Sequence, residues 1–203
     1  MTFFVAICGN IGSGKTSLCE RLTTRADVEV IQENVSGNPY LSKFYDDMPT
    51  WAMRSQLRFL VDRQMAACNA PAAEIIIEDR SILEDIHVFA GNLFEQGIIS
   101  DDDWKLYKDI STLIVDSHPK YDLIIYLTAD TSTLMKRIMK RGRGIEMDID
   151  PAYIEALQAR YDAFVRRISE RIPVITINTT SRDLRSPEES EAIFQDMLTK
   201  LRS

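Results

Sequence analysis

The chain has 203 residues, of which 45% are hydrophobic and 27% charged, values typical of a globular domain with a full-sized core. Its formal net charge of −7 argues against a nucleic-acid partner, since duplex binding normally depends on a basic surface. No apolar run approaches the roughly 20 residues needed to cross a bilayer, so we expect no membrane partner.

The first predicted element is an apolar run at residues 3–7, which leads directly into a motif of the form G-x-x-x-x-G-K-[ST]. In such a loop, successive backbone N–H groups point inward around phosphates, and the following helix offers its positive end. Lys15 would reach the β- and γ-phosphates of a nucleoside triphosphate, and the Thr16 hydroxyl would hold Mg²⁺. The predicted nucleotide-binding residues are Gly9, Asn10, Ile11, Gly12, Ser13, Gly14, Lys15, Thr16 and Ser17.

Five short apolar runs alternate along the chain with helical patterns, and such runs are typical of buried parallel strands. They are Phe3–Cys8, Val28–Gln32, Ile75–Glu78, Leu123–Leu127 and Val174–Ile177. Two apolar stripes at helical spacing, which we expect to be core, are Ile82, Ile86, Phe89 and Leu93, and Ile154, Leu157, Tyr161, Phe164 and Ile168. The alternation predicts an α/β fold: one domain over residues 1–203 with a five-stranded parallel sheet flanked by helices. Ligands are expected beyond the carboxyl ends of the strands.

Charged residues follow two of the predicted strands at the edge where ligands are expected. Glu33 ends the second strand, where a carboxylate would project beside the phosphate loop and could act as a general base. Asp79 ends the third strand, a position suited to an outer Mg²⁺ ligand near Thr16. Arg80 could balance this acid or clamp a phosphate, since a guanidinium suits bidentate phosphate contact. A loop or capping role for Glu33, and a structural ion pair for Asp79 with Arg80, stay open at this point.

Two predicted helices, one before and one after the third strand, carry residues that could form a pocket for a nucleobase. Gln56 and Arg63 are seven residues apart, so they share a helix face. Asp85 lies on the helix after the third strand, with Phe89 one turn further on. An amide, an Arg–Asp pair and an aromatic ring could stack a base and hydrogen-bond its edge. Taken singly, each is more typical of a surface polar group or a core aromatic.

A cluster of five cations within residues 136–143 stands out in a chain of negative net charge: Lys136, Arg137, Lys140, Arg141 and Arg143. Arg137 and Arg141 are four residues apart and share a helix face, and the following glycines permit a mobile flap. This composition is typical of an arginine-rich lid, about residues 136–146, that closes cations over a triphosphate and excludes water. The alternative is a solvated basic face.

The cysteines and the beginning of the chain bear on its cellular compartment. Cys8, Cys19 and Cys68 are an odd number at no metal-like spacing. Because Cys8 lies at a strand end and Cys19 in a predicted helix, we expect buried free thiols and a reducing compartment. The phosphate loop starts too early to leave room for a targeting segment, so we expect a cytoplasmic protein.

From Val5 to about Phe164, the order and spacing of these motifs resemble the deoxynucleoside kinases, the family of deoxycytidine, deoxyguanosine and deoxyadenosine kinases. Four segments carry the resemblance: Asn38-Pro39-Tyr40-Leu41-x-x-Phe44-Tyr45, Trp51-x₄-Gln56-x₆-Arg63, Asp79-Arg80-Ser81-x₃-Asp85-x₃-Phe89 and Arg137-x₃-Arg141-Gly142-Arg143. The resemblance implies a P-loop kinase fold and ATP-dependent phosphorylation of a deoxynucleoside 5′-hydroxyl in nucleotide salvage. It also implies a homodimer. Asp-Arg-Ser at the third strand end is similar to bacterial purine-directed relatives, which favours deoxyadenosine or deoxyguanosine.

The resemblance also implies a role for each site residue. Glu33, Arg80 and Lys15 would be catalytic, with Glu33 taking the proton of the 5′-hydroxyl and Arg80 contacting that hydroxyl and the phosphates. Tyr45 and Glu146 would hydrogen-bond the sugar 3′-hydroxyl. Gln56, Arg63 and Asp85 would read the base edge while Phe89 stacks on the ring. Arg137, Arg141 and Arg143 would contact the ATP phosphates, and Thr16 and Asp79 would serve Mg²⁺.

Two other function classes share parts of this pattern. A nucleoside monophosphate kinase of the thymidylate kinase type has the phosphate loop, the Asp-Arg pair and the lid, but an acid at Glu33 would repel its acceptor phosphate. A non-catalytic nucleotide switch would need a guanine-reading Asn-Lys-x-Asp motif, which the sequence lacks. Its slow hydrolysis would also not require several arginines in cis.

Overall fold

A five-stranded, fully parallel β-sheet forms the centre of the computed structural model, which describes residues 2–144 and 149–202. The strands are β1 (Phe3–Gly9), β2 (Val28–Ile31), β3 (Ile75–Asp79), β4 (Leu123–Thr128) and β5 (Val174–Asn178). Their order in the sheet is β2-β3-β1-β4-β5. The α/β fold with a five-stranded parallel sheet is therefore confirmed, and each strand begins at its predicted residue.

The register of the sheet brings the ends of three neighbouring strands together. Ile7 of β1 is paired with Asp79 of β3 on one side and with Ile125 of β4 on the other. The chain crosses from β1 over β3 to reach β2, and later from β3 over β1 to reach β4. The connections after β1 and β3 thus diverge to opposite sides, which opens a crevice at their carboxyl ends.

The helices surround this sheet, and several begin with a side-chain cap. Asp47, Ser100, Asp130, Asp150 and Ser186 each accept a backbone N–H in the first turn of the helix that follows. The helices are α1 (Lys15–Leu22), α2 (Leu41–Asp46), α3 (Met48–Cys68), α4 (Ile82–Glu84), α5 (Gly91–Glu95), α6 (Asp101–Ser117), α7 (Thr131–Arg141), α8 (Pro151–Ile168) and α9 (Pro187–Leu201).

Two apolar cores lie on opposite faces of the sheet, because alternate residues of each strand point to opposite sides. Val5 and Ile7 of β1 pack with helices α1 and α9, where Leu18 and Phe194 are fully or almost fully buried. Ala6 and Cys8 point to the other face, against the larger group of α3, α6, α7 and α8. The predicted stripe is buried there from Ile154 to Phe164, while its last residue, Ile168, is half-buried and packs against this core.

One predicted helix has a different hydrogen-bond pattern from the one expected. Between α4 and α5, residues Asp85–Ala90 form a π-helical segment, so the helical turn is wider there than in an α-helix. Ile82, Ile86 and Leu93 of the predicted stripe are buried, whereas Phe89 is half-buried and lies at a cavity. The expectation that the whole stripe is core is therefore wrong for Phe89.

The thiols and the helices bear on two further expectations. Cys8 and Cys19 are free and buried, and burial raises the pKa of both thiols, while Cys68 at the end of α3 is free but exposed. The expected burial is therefore wrong for Cys68, which lies where α3 ends at the surface. Over residues 2–144 and 149–202, no helix is long and apolar enough to cross a membrane.

Candidate active site

A cavity of about 910 Å³ opens at the carboxyl ends of the strands. Its walls come from the loop after β1, the segment after β2, helices α2 and α3, the turn after β3, and the loop after β5. Predicted site residues that line it are Ile11, Gly12, Ser13, Gly14, Lys15, Thr16, Ser17, Glu33, Tyr45, Gln56, Arg80, Asp85, Phe89, Arg137, Arg141 and Arg143. One cavity thus joins the predicted triphosphate and base sites.

The loop after β1 has the backbone shape of a phosphate cradle. Gly14 has a φ of 106°, a left-handed conformation that favours glycine, and it directly precedes α1. The buried Lys15 Nζ donates to the carbonyl oxygens of Gly9 at 2.7 Å and Asn10 at 3.1 Å. Lys15 therefore lies across the mouth of the loop, where its ammonium can exchange these carbonyls for phosphate oxygens.

The first two residues of the predicted nucleotide-binding motif face other parts of the protein. The Gly9 N–H donates to Glu84 Oε1 at 3.1 Å. The Asn10 amide is fully buried and donates to the Ile154 carbonyl at 2.9 Å, which ties the loop to α8. Neither residue lines the cavity, so the structure gives both a supporting position.

Thr16 and Asp79, the two residues predicted to serve Mg²⁺, contact each other through their side chains. The Thr16 hydroxyl donates to Asp79 Oδ2 at 3.1 Å, while Asp79 Oδ1 is buried without a hydrogen-bond partner. Burial raises the pKa of the Asp79 carboxyl, and the Lys15 ammonium opposes that shift. Oxygen donors beside a phosphate cradle suit Mg²⁺, which usually takes few protein ligands and keeps several waters. Within the described part of the chain, no group of three His, Cys, Asp or Glu residues could hold a metal by itself.

The predicted general base is held by two arginines. Glu33 Oε1 lies 2.6 Å from Arg80 Nε and 3.6 Å from Arg63 Nη2, and the Glu33 side chain is 16% exposed. Burial acts to raise the pKa of the Glu33 carboxyl, but Arg80, Arg63 and Lys15 outweigh it and hold the pKa below its usual value. Glu33 is therefore ionised at neutral pH and faces the cavity.

Arg80 occupies a sharp turn between β3 and α4. Its φ of 74° is left-handed, which is uncommon for a residue other than glycine and is often found at functional sites. The next residue, Ser81, forms a reciprocal capping box with Glu84 at the start of α4. The Arg80 guanidinium also lies over the Phe89 ring, at 4.3 Å from its centre. The turn thus aims the guanidinium into the cavity between Glu33 and Phe89.

The predicted base-reading residues meet on one side of the cavity. Arg63 Nε donates to Asp85 Oδ2 at 2.7 Å, and Arg63 Nη1 donates to the Asp79 carbonyl at 3.1 Å and to the Arg80 carbonyl. Gln56 lies on the same helix face, about two turns away, and its buried Oε1 has no hydrogen-bond partner. Burial raises the pKa of Asp85 to about 6, although Arg63 acts in the opposite direction. The cluster offers a donor and acceptors at the cavity wall.

The predicted lid arginines lie at the opposite side. Arg137 Nη1 donates to Thr179 Oγ1 at 2.9 Å, and Nη2 donates to the Thr179 carbonyl at 2.5 Å. Longer contacts of 3.4 and 3.5 Å reach the carbonyls of Gly12 and Ser13. Arg137 therefore supports the phosphate loop as well as lining the cavity. Arg141 and Arg143 line the cavity too, and the predicted sugar ligand Glu146 lies outside the described residues.

Several residues at the site were missed by the sequence analysis. Tyr153 of α8 is half-buried at the cavity near Tyr45, and residues 180–185 after β5 line the region beside the phosphate loop. Glu84 and Tyr161 are fully buried and hydrogen-bonded to each other beneath the turn that carries Arg80. The spacing of Tyr161 in the sequence indicates only an apolar helix face, and Glu84 belongs to none of the sequence motifs.

Comparisons with known proteins agree with this architecture. The sequence matches the family model described as deoxynucleoside kinase over residues 5–202. It is 33% identical over 180 residues to a deoxyguanosine kinase of Bacillus subtilis (strain 168), which covers 89% of this chain and 86% of that protein. It is 31% identical over 202 residues to a deoxyadenosine/deoxycytidine kinase of the same organism, covering 97% and 92%.

Solved structures show the same likeness. The fold matches deoxyadenosine kinase from M. mycoides with bound dCTP at a TM-score of 0.85 and 26% identity, covering 97% of this chain and 100% of that one. The same enzyme with bound dATP matches at a TM-score of 0.81 and 27% identity, covering 97% and 99%.

Proposed function

The chain belongs to the deoxynucleoside kinase family, whose members are phosphotransferases of nucleotide salvage, and from this we propose that it transfers the γ-phosphoryl group of ATP to the 5′-hydroxyl of a purine deoxynucleoside. Deoxyadenosine and deoxyguanosine are the proposed substrates. A nucleotide phosphate donor follows from the family, and ATP as that donor is part of the proposal.

The observation that carries the proposal is the ionised Glu33 beside the phosphate loop. A carboxylate there can accept a proton from a neutral hydroxyl, whereas it would repel the phosphate of a nucleoside monophosphate. Arg80, 2.6 Å from Glu33, can contact the same hydroxyl and the transferring group. The charges therefore favour a nucleoside over a nucleotide as the acceptor.

The proposed mechanism is in-line transfer with the protein supplying position and charge. Glu33 accepts the proton of the 5′-hydroxyl as the phosphoryl group moves. Lys15, Arg141 and Arg143 neutralise charge on the donor phosphates, while Arg137 holds the phosphate loop in place. Tyr45 and Glu146 fix the sugar through its 3′-hydroxyl, and the loop at 180–185 covers the far end of the cavity.

Thr16 and Asp79 would hold Mg²⁺ in this mechanism. The buried Asp79 Oδ1 without a partner supports this assignment, since such an atom costs free energy unless a ligand or water satisfies it. When bound, Mg²⁺ neutralises charge on the β- and γ-phosphates.

The purine preference rests on the Asp79-Arg80-Ser81 turn and on the relatives. The two Bacillus subtilis relatives act on deoxyguanosine in one case and on deoxyadenosine and deoxycytidine in the other. Deoxycytidine is therefore the second candidate acceptor. Arg63, Asp85 and Gln56 offer both donors and acceptors, which suits the edge of a purine ring.

The test is ATP turnover with deoxyadenosine, deoxyguanosine, deoxycytidine and thymidine, with dTMP as the monophosphate control. We expect turnover on a purine deoxynucleoside and none on dTMP. A deoxynucleoside alone should also raise the melting temperature, because a ligand that binds the folded state stabilises it. Turnover on dTMP alone would indicate a monophosphate kinase. A preference for deoxycytidine would contradict the proposed purine specificity.

The pH dependence of ATP use provides a prediction about Lys15. Burial lowers the pKa of the Lys15 ammonium to about 8, and Arg80 acts in the same direction. Because free enzyme loses this charge as the pH rises through about 8, kcat/KM for ATP should fall above that pH. Bound phosphates favour the charged lysine, so kcat at saturating ATP should fall only at higher pH.

Steady-state pH profiles of kcat/KM, one for ATP and one for the deoxynucleoside, are the measurement. The profile of kcat/KM for the deoxynucleoside, measured at saturating ATP, is the internal control and should lack the limb near pH 8. The same alkaline limb in both profiles would assign it to a group other than Lys15.

We also propose that the chain forms a homodimer through α3 and α6. Among the described residues, the large apolar side chains left exposed are Val61, Met65, Leu106, Leu113 and Met139, and the first four lie on these two adjacent helices. An apolar patch of this kind marks an association surface. A second copy of the chain could cover it by a symmetric contact.

The molar mass in solution tests the homodimer. We expect twice the chain mass of 23.2 kDa for the wild type and a shift toward 23.2 kDa for Leu113→Glu, since Leu113 is 74% exposed. Met139→Glu on α7 is the matched control and should leave the mass unchanged. A wild-type mass of 23.2 kDa by light scattering would contradict the proposal.

A further inference from the structure

Glu84 is a buried carboxylate that the proposed mechanism does not use. It is 0% exposed, and its two oxygens accept hydrogen bonds from four groups. Oε1 accepts the Gly9 N–H at 3.1 Å and the Tyr161 hydroxyl at 2.6 Å. Oε2 accepts the Ser81 N–H at 2.6 Å and the Ser81 hydroxyl at 3.0 Å. One carboxylate therefore joins the phosphate loop, the turn after β3 and helix α8.

The Tyr161 hydroxyl links Glu84 to Arg80 through two hydrogen bonds. Since its proton is donated to Glu84, its oxygen is an acceptor, and Arg80 Nη1 donates to it at 3.2 Å. On its other side, Arg80 Nε lies 2.6 Å from Glu33. The order of contacts is thus Glu84, Tyr161, Arg80 and Glu33, and the carboxylate fixes the direction of the tyrosine hydroxyl.

We propose that Glu84 and Tyr161 are positioning residues for phosphoryl transfer, which hold the Arg80 guanidinium at the distance at which it forms an ion pair with Glu33. This inference rests on the proposed roles of Glu33 and Arg80. The Gly9 contact adds a second effect, because the same carboxylate that orients Arg80 also fixes the start of the phosphate loop. A single buried carboxylate thereby positions residues of both the proposed donor site and the proposed acceptor site.

The alternative is that Glu84 only stabilises the fold by capping α4. A capping role predicts lower stability with unchanged chemistry. A positioning role predicts a loss in kcat that exceeds the change in KM, together with a change in the acid limb of the pH profile. The charged groups facing Glu33 and Arg80 are Lys15 of α1, Arg63 of α3, Asp79 of β3, Glu84 of α4 and Asp85. All of them remain in Tyr161→Phe and Tyr126→Phe, and Glu84→Gln changes only Glu84.

The decisive variant is Tyr161→Phe, which removes only the hydroxyl. We expect kcat to fall about tenfold to a hundredfold, since a hydrogen bond to a charged group is lost where it fixes a catalytic contact. The acid limb of the kcat profile should move to higher pH, because a less constrained Arg80 holds the Glu33 carboxylate less firmly in its ionised form. Glu84→Gln should also lower kcat, and the kcat losses of the two variants should not be additive, because both act through Arg80.

The matched control is Tyr126→Phe. The Tyr126 ring stacks on the Tyr161 ring with centroids 5.9 Å apart, and its hydroxyl donates to Asp162 Oδ1 at 3.0 Å, but it does not touch Arg80. This variant should lose stability similar to Tyr161→Phe while keeping the wild-type kcat and acid limb. Equal kinetic losses in both tyrosine variants, or wild-type kinetics in Tyr161→Phe, would overturn the proposal.

A measurement on the protein without substrate tests the positioning role of Glu84 and Tyr161 independently of the proposed function. In the ligand-free protein, NMR should show slow solvent exchange of the Arg80 Nε–H in the wild type and in Tyr126→Phe, and faster exchange in Tyr161→Phe. Equal exchange in all three proteins would overturn the positioning role, even if Glu33 proves to be the base. Faster exchange in Tyr161→Phe would support it, even if the preferred acceptor differs from the one proposed.

Discussion

Replacing Glu33 with alanine is expected to lower kcat by about 10²–10⁴, the usual range for a positioned general base. Its carboxylate lies at the cavity, 2.6 Å from Arg80, and is held in its ionised form by neighbouring cations. Without it, the 5′-hydroxyl must lose its proton to water. The measurement is steady-state turnover on the preferred deoxynucleoside, with KM determined for both substrates.

Two further variants make the result specific to the Glu33 carboxylate. Glu33→Gln keeps the size of the side chain but cannot accept the proton, so its kcat should fall nearly as far as that of the alanine variant. Glu29→Gln changes a carboxylate on β2, four residues before Glu33, and should leave kcat unchanged. Near-normal turnover in Glu33→Gln would remove Glu33 from the role of base.

Breaking the buried pair of Arg63 and Asp85 is expected to have the second large effect. Their side chains are 5% and 3% exposed, with Nε and Oδ2 2.7 Å apart. Removing either partner leaves a buried charge without its counter-ion, which typically costs about 3–5 kcal/mol in the free energy of unfolding. Both Arg63→Ala and Asp85→Ala should therefore lower the melting temperature clearly, by about 2–4 °C for each kcal/mol in a chain of this size.

The same two variants should change the choice of base. Asp85 lines the cavity with Gln56, and Arg63, which does not line it, is paired with Asp85. Under the proposed roles, loss of either partner should therefore disturb hydrogen bonds to the base edge but none to the sugar. The ranking of the four deoxynucleosides by kcat/KM should change, while the ratio of deoxynucleoside to ribonucleoside should change less. An unchanged ranking in both variants would contradict the assignment of this pair to base recognition.

A neighbouring ion pair provides the control for the stability effect. Arg58 and Asp62 form an i,i+4 pair on the same helix, but the Arg58 side chain is 41% exposed. Surface pairs contribute about 0–1 kcal/mol, because water solvates the exposed arginine and salt screens the attraction. Asp62→Ala should thus change the melting temperature little. A loss as large as that of Asp85→Ala would mean that burial does not explain the cost.

The fold could be predicted largely from the sequence, since all five strands are short runs rich in Ile, Val and Leu that alternate with helical patterns. The phosphate loop could also be predicted, because its glycines and lysine must keep a fixed spacing to surround a phosphate. The positions of Glu33, Asp79 and Arg80 followed from the rule that parallel strands end at one edge. Each of these inferences used only neighbours in the sequence and the geometry of a sheet.

The rest depended on contacts between distant segments. Glu84 resembles any acid in the first turn of a helix, and only the fold brings it to Gly9 and Tyr161. Asn10 matches the phosphate loop by position, yet its amide is turned to α8. The π-helical segment has ordinary helical apolar spacing, so periodicity alone could not distinguish it from an α-helix.

The wide turn at Asp85–Ala90 offers an evolutionary route to new substrates. A π-helical segment accommodates an extra residue within a helix, so deletion of one codon there could restore an α-helix. Each residue of an α-helix turns by about 100°, and the deletion would therefore rotate the side chains on one side of the gap relative to the other. Asp85 is the first residue of this segment and Phe89 is its last but one. A single genetic event could thus reshape this wall of the cavity, where point substitutions would need several steps.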